Sequence, residues 1–327
     1  MKNRREFVKM GIGGLGMAMF APNVLFSANS LESLKAANKG KEGRALSENF
    51  VLNNGMKIPK IGLGVWKIDD SIVEDVIAEA FKIGYRHIDT AQAYGNERGV
   101  GEAVRKSGLK REEIFVTSKI RAEYKDYKSA MESLDNSLRT MGLSEIDLML
   151  IHSPQPWSNF RGGDYFSENV EVYHALEDAL KSGKVRAIGV SNFLEKDLEN
   201  IFKNCSTKPA VNQILTHIGN TPFDLIDYCK EQEVLVEAYS PIAHGRLTKD
   251  AKIIQMSQKY NVTPAQLCVR YALSIGTLPL PKSKNPVHIA QNAAVDFELS
   301  NEDLEFLKNF NFNDYGEFSH YPSFKKR

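Results

Sequence analysis

From Glu48 onward, short apolar runs alternate with longer segments whose apolar residues recur three and four positions apart. The runs are Ile61–Trp66, Arg86–Asp89, Ile114–Ser118, Leu148–His152, Ala187–Val190, Ala210–Gln213, Leu235–Tyr239 and Leu278–Leu280. They are too short for helices and mostly apolar on both sides, as strands covered on both faces are. Between them the helical pattern predicts Ile72–Ile83, Glu97–Lys106, Lys128–Met141, Val170–Ser182, Lys196–Asn204, Phe223–Glu231 and Pro264–Ile275. Shorter helices at Val287–Asn292 and Asn301–Asn309 close the chain. In the third helix Ala130, Leu134, Ser137, Leu138 and Met141 share a face, and Gly142 ends it. Eight strands separated by helices imply parallel pairing through right-handed crossovers. The expected fold class is therefore α/β, a single (β/α)8 TIM barrel. An open doubly wound sheet is the alternative that spacing alone does not exclude.

The first residues carry a different pattern. Arg4 and Arg5 precede a glycine-rich apolar stretch from Met10 to Phe26. This resembles a bacterial twin-arginine export signal. The stretch is short for a membrane span and contains Pro22, so no stable membrane anchor is expected. The expected organisation is a signal over residues 1–30, a polar spacer over 31–47 and the barrel over 48–327. The expected location is the periplasm, or the cytoplasm if the arginines are only a basic start. Gly11-Ile12-Gly13-Gly14-Leu15-Gly16 matches a dinucleotide-loop pattern. No strand precedes it, so its backbone N–H groups have no reason to meet a pyrophosphate, and it is read as part of the signal.

Charge narrows the partners. With 42 basic and 41 acidic residues the net charge is +1, which argues against nucleic acid or an anionic membrane as main partner. Cys205, Cys229 and Cys268 are sparse and lack metal-ligand spacing, so no metal is expected.

In a parallel barrel, chemistry sits where the strands end. The second, third and fourth predicted strands deliver Asp89, Lys119 and His152 there, with Tyr94 in the loop just beyond. Such a set suits carbonyl reduction. Hydride addition leaves charge on the carbonyl oxygen, which a general acid must protonate. A lysine cation beside a tyrosine favours phenolate and is expected to lower its pKa. Asp89 can pair with Lys119, and His152 can orient the substrate oxygen. Each residue also has an ordinary reading: a helix-capping Asp, a packed Tyr, a snorkelling Lys, a structural His. Their convergence on one rim favours the chemical reading. His87, inside a strand, is expected in the core.

The stretch from Gly84 to Glu97 reads G-Y-R-H-I-D-T-A-x-x-Y-G-N-E and resembles the signature of the aldo-keto reductase family. The likeness continues through Gly62-Leu63-Gly64-Val65-Trp66, Leu150-Ile151-His152, Gly189-Val190-Ser191-Asn192-Phe193, Asn212-Gln213, Ala238-Tyr239-Ser240-Pro241 and Pro281-Lys282-Ser283. It is similar to the bacterial diketogluconate-reductase-like branch. The resemblance implies reduction of a small aldehyde, ketone or keto-sugar by a monomer, with Tyr94 as proton donor, Lys119 and Asp89 as its partners and His152 orienting substrate. It implies that Ser191, Asn192 and Gln213 hold a nicotinamide carboxamide, with Tyr239 and neighbouring Ser240 against the ring. Lys282, Ser283 and Asn285 would meet a 2′-phosphate, with His288 nearby and Asn292 near the adenine. The implied cofactor is NADPH. An arginine often stands in the family where His288 stands here, which leaves NADH or dual use open. Trp66 and Trp157 are the expected substrate walls, Ser153 replaces a frequent tryptophan, the tail from Asn311 is short, and Ser158–Asn169 is expected as a mobile loop.

Two other functions fit parts of the pattern. A nucleotide-binding sensor or interaction module could use the same barrel with little turnover. A barrel hydrolase would need paired carboxylates, and none accompanies His152 in the sequence.

Overall fold

The computed structural model describes residues 44–324. The paired arginines, the apolar stretch with its glycine motif and the spacer up to residue 43 lie outside the described residues. A one-turn helix, α1 (Arg44–Ser47), buries Ala45 and bonds the Ala45 N–H to Asp296 at 3.2 Å. Strands β1 (Asn49–Val51) and β2 (Lys57–Pro59) then form an antiparallel hairpin. Leu52 and Ile58 of this hairpin pack with Phe115, Ala187, Val211 and Leu278, near the strand starts, and so close the N-terminal end of the sheet.

Eight parallel strands follow in chain order: β3 (Leu63–Gly64), β4 (His87–Asp89), β5 (Phe115–Ile120), β6 (Ile146–Ile151), β7 (Val185–Ser191), β8 (Val211–Leu215), β9 (Leu235–Tyr239) and β10 (Leu278–Leu280). Every residue of β5 and β6 is buried, including the polar Thr117, Ser118, Lys119 and Asp147, as strands covered on both faces are. The barrel closes between β3 and β10 through single bonds, Gly62 N–H to Pro279 O at 3.2 Å and Gly64 N–H to Pro281 O at 3.1 Å. The prolines offer carbonyls but no N–H in return, so this seam lacks half its ladder. The approach is close: a Cβ on Gly62 would lie 2.6 Å from both His87 Nδ1 and Leu280 Cδ2.

The helices are α2 (Asp70–Ile83), α3 (Glu97–Lys106), α4 (Tyr127–Met141), α5 (Phe166–Lys181), α6 (Glu195–Asn204), α7 (Phe223–Glu231), α8 (Ala251–Lys259), α9 (Pro264–Ser274), α10 (Pro286–Ala293) and α11 (Asn301–Lys308). α4 starts at Tyr127 on an Asp126 cap, one residue before the expected Lys128 start, and stops, as the pattern predicted, at Gly142 in the left-handed region. α8 was not expected. It has nine residues and an Asp250 cap, and its short stripe of Ile253, Met256 and Tyr260 packs against the core, with only Ile253 and Ser257 fully buried within the helix. The segment Ser158–Asn169 is not one loop, because α5 begins at Phe166. Its remaining part is cross-tied: Gln155 donates to Gly163 O at 2.9 Å and accepts from Arg161 N–H at 3.3 Å. Among the described residues no helix is long and apolar enough to cross a membrane.

Candidate active site

Asp89 ends β4, and the chain then makes a 3-10 turn over Gln92–Tyr94 with Gly95 left-handed behind it. Asn96 fixes this turn. It accepts from the Thr90 hydroxyl at 2.6 Å and donates to Val65 O and Ile68 O at 2.9 Å each. Glu97 locks the next position by accepting from Ser118 at 2.6 Å and Ser137 at 3.1 Å. The Thr, Asn and Glu of the signature are thus scaffolding that aims Tyr94.

Lys119, on β5, is fully buried. Its ammonium donates to Asp89 Oδ1 at 2.7 Å, Thr90 O at 2.8 Å and Tyr94 Oη at 3.3 Å. All three ammonium hydrogens therefore have acceptors, which offsets the cost of burying the charge. Burial works against that charge, but Asp89 and Tyr94 outweigh it and hold the Lys119 pKa above its ordinary value. His152 follows β6, its ring edge-on to Tyr94 at 5.7 Å between centroids. Burial, then Lys119, push its pKa well below the ordinary value, so it is a neutral imidazole at neutral pH. These four side chains meet at a cavity of about 580 Å³, whose lining includes Asp89, Tyr94 and His152.

The expected lowering of the Tyr94 pKa does not occur. Burial raises it more than Lys119 lowers it, and Asp89 adds to the rise. Tyr94 is therefore a phenol, loaded with its proton, rather than a near-phenolate.

A family model described as the aldo/keto reductase family matches residues 60–311. Glyoxal reductase of Bacillus subtilis is 39% identical over 269 residues, covering 82% of this chain and 94% of that protein. The crystal structure of an aldo/keto reductase from Brucella melitensis superposes with a TM-score of 0.75 at 35% identity, covering 80% of this chain and 97% of that one. An aldo-keto reductase of Bombyx mori, solved in complex with NADP, gives 0.74 at 31% identity, covering 85% and 99%. The chain belongs to the aldo/keto reductase family. It is an oxidoreductase with the carbonyl-reductase activity general to that family.

In this aldo-keto reductase, Ser191, Asn192, Gln213, Tyr239, Ser240 and Lys282 all line the cavity, as do Trp66 and Trp157. Asn192 is left-handed at φ 62° and ties the set together. It donates to His152 O at 3.1 Å and accepts from the Tyr239 hydroxyl at 2.9 Å. Trp157 stands edge-on to His152 at 5.2 Å. Ser283, Asn285, His288 and Asn292 are not among the lining residues. Asn285 caps α10 by accepting from Val287 N–H at 2.9 Å, and Ser283 accepts from Asn285 N–H at 3.1 Å. His288 is exposed and Asn292 buried.

Three features escaped sequence reasoning. The tail does shape the cavity: Phe318, Tyr321 and Phe324 line it, and Tyr321 lies edge-on to Trp66 at 5.1 Å. Lys67, at its mouth, lies 4.6 Å over Phe318 and 4.7 Å over Tyr321. Glu237 is fully buried on β9 and shares Gln213 with Asp89, so a second carboxyl does stand beside Asp89, away from solvent. A lone acid inside the apolar run Leu235–Tyr239 was its only signal. Elsewhere, His174, Glu177 and Cys205 place potential ligand atoms within 4.8 Å of one another. Glu177 is already engaged there by His174 at 2.9 Å and by the Ser206 and Thr207 N–H groups at 2.8 and 2.6 Å.

Proposed function

We propose that this aldo-keto reductase uses NADPH to reduce a small aldehyde, ketone or keto-sugar. The carrying observation is the Lys119 ammonium, 2.7 Å from Asp89 and 3.3 Å from the Tyr94 hydroxyl, at the base of an aromatic-walled cavity. Tyr94 gives its proton to the carbonyl oxygen as charge develops there, and Lys119 stabilises the phenolate left behind. His152, neutral, donates to the same oxygen and orients it. Trp66, Trp157 and Tyr321 exclude water and present flat apolar faces, which suit the C–H faces of a sugar chain as well as an aldehyde.

The residues present fit a nicotinamide dinucleotide, whose chemistry when bound is hydride supply. Ser191, Asn192 and Gln213 would hold the carboxamide, with Tyr239 and Ser240 beside the ring. Burial, then Lys284 and Lys67, lower the Lys282 pKa. These crowded cations would be relieved by an anion, which supports a phosphate there. Ser283 and Asn285 would complete that contact, with His288 and Asn292 flanking the adenosine. The NADP in the Bombyx mori relative supports the same choice.

The test is NADPH oxidation by the chain lacking residues 1–30, against aldehydes and keto-sugars, repeated with NADH. Turnover with an NADPH preference, lost in Lys282→Ala, is the expected result. Nucleotide binding without turnover on any carbonyl would overturn it.

We also propose export through the twin-arginine route, on the strength of Arg4, Arg5 and the apolar stretch behind them. Replacing both arginines by lysine should shift the protein from periplasm to cytoplasm. An unchanged distribution would sink that reading.

A further inference from the structure

Glu237 sits where a hydrocarbon would pack at lower cost. It lies in register with Gln213 on one side and Leu278 on the other, and its side chain has no solvent exposure. Burying a carboxyl without a cation of its own is costly. Its partner is the Gln213 amide, whose Nε2 donates to Glu237 Oε2 at 2.7 Å and to Asp89 Oδ1 at 2.8 Å. Asp89 Oδ1 also accepts from Lys119 at 2.7 Å. A continuous chain thus runs Glu237, Gln213, Asp89, Lys119, Tyr94. Two carboxyls share one ammonium along it. The other carboxyl oxygen, Oε1, has no hydrogen-bond partner, and the nearby His87 Nε2 is 3.9 Å away and bonded instead to Thr117.

We propose that Glu237 is a positioning residue for the reduction, acting through Gln213 and Asp89 on the charge that Lys119 presents to Tyr94. The proposal rests on Tyr94 as proton donor. Among the described residues, the titratable groups facing Glu237 are His87 and Asp89 from β4 and Lys119 from β5. The neighbouring positions are Gln213 on β8 and Leu278 on β10. Burial first, then Asp89, push the Glu237 carboxyl up to about 8, against Gln213 and Lys119. Burial and Lys119 push His87 down to about 3, so it is neutral and supplies no counter-charge. Glu237 is therefore protonated at neutral pH, and the buried group balances as one carboxylate against one ammonium. As pH rises, Glu237 ionises before Tyr94 can. The added negative charge then strengthens the hold of Lys119 and Tyr94 on their protons. The result is a donor that stays loaded into the alkaline range.

The experiment compares the enzyme with Glu237→Gln, which keeps an acceptor for Gln213, and with Glu237→Met, which keeps only the volume. Tyr94 ionisation is read without substrate, as phenolate absorbance minus that of the matching Tyr94→Phe protein. The pH profile of kcat/KM is read beside it. Both variants should move the phenolate transition and the alkaline limb together to lower pH by about one unit, a tenfold change in proton affinity. A packing role alone would alter melting and leave both titrations in place, which would overturn the proposal. If neither variant folds, carbon-13 carboxyl spectra of the unaltered enzyme decide. A Glu237 carboxyl already ionised at neutral pH overturns it, and one that titrates while perturbing the Tyr94 ring supports it. A shifted phenolate with no turnover in the unaltered enzyme would instead fail the donor reading and leave the coupling standing.

Discussion

The Lys119 ammonium lies 3.3 Å from the Tyr94 hydroxyl, with no surface in contact with water. In that setting the lysine is the principal force opposing burial of the Tyr94 charge. Tyr94→Phe should therefore lower kcat by about 10²–10⁴-fold while leaving nucleotide affinity intact. Lys119→Met should act in the same direction and also destabilise the fold by about 3–5 kcal/mol, because Asp89 loses its buried partner. Steady-state kinetics beside fluorescence titration of nucleotide separates the two effects. Turnover retained in Tyr94→Phe would remove it from the donor role.

The pH dependence of stability should show two opposing slopes. Burial pushes His217 and His244 each down to about 4, and His87 lower still. Their folded values lie below the unfolded ~6.5, so their contribution is present above that pH and is lost as pH falls towards about 4. Glu237 has the opposite sign. Its folded value of about 8 exceeds the unfolded ~4.3, so its contribution is full below the latter and lost as pH rises through about 8. Urea midpoints should peak near pH ~6.5. In Glu237→Gln the decline above that pH should flatten, and an unchanged slope would exclude Glu237 as its source.

The barrel was legible because its strands are short apolar runs, and β9 and β10 match the pattern residue for residue. The cluster of Asp89, Lys119, His152 and Tyr94 was legible for a related reason: three buried strands end in polar side chains on one rim, with the tyrosine in the loop beyond. Glu237 was not, because its meaning depends on Gln213, 24 positions earlier, and on Asp89 across the barrel. The sign of the Tyr94 pKa failed likewise. Sequence shows a lysine nearby, whereas the depth of burial that outweighs it is a property of the closed fold. The β1–β2 hairpin is formed by strands of three residues each, too short to carry a period. The contacts of Phe318 and Tyr321 with Trp66 join opposite ends of the described chain, beyond the reach of any local pattern.

Asp147 offers a contrast between stability and catalysis. It is fully buried near the start of β6, where it accepts from Arg111 Nη2 at 2.6 Å, Arg186 Nη1 at 2.7 Å and Val116 N–H at 2.9 Å. The N-terminal end of a barrel supports the fold and carries none of the chemistry. Asp147→Ala should cost about 3 kcal/mol, the low end for a broken buried pair because both arginines reach solvent. kcat/KM should stay within about twofold while the protein is folded. Chemical denaturation and kinetics at one temperature check both, and a large kinetic loss would show coupling from this end of the barrel to the rim.

Phe318 tests whether the segment after α11 is a binding wall or a catalytic one. Its ring stacks on His244 with centroids 4.1 Å apart and planes 8° from parallel, and it lines the cavity beside Trp66. Burial keeps the His244 imidazole neutral by pushing its pKa down to about 4, so the stack is held by dispersion rather than by charge. Removing the ring in Phe318→Ala forfeits about 1 kcal/mol of aromatic pairing and opens the wall to water. If the wall holds substrate and transition state alike, KM for the carbonyl should rise roughly five- to tenfold with kcat unchanged. If kcat falls by the same factor as kcat/KM, the ring acts only in the transition state, and the tail belongs with the catalytic groups. The two outcomes are told apart by full saturation curves at fixed saturating NADPH.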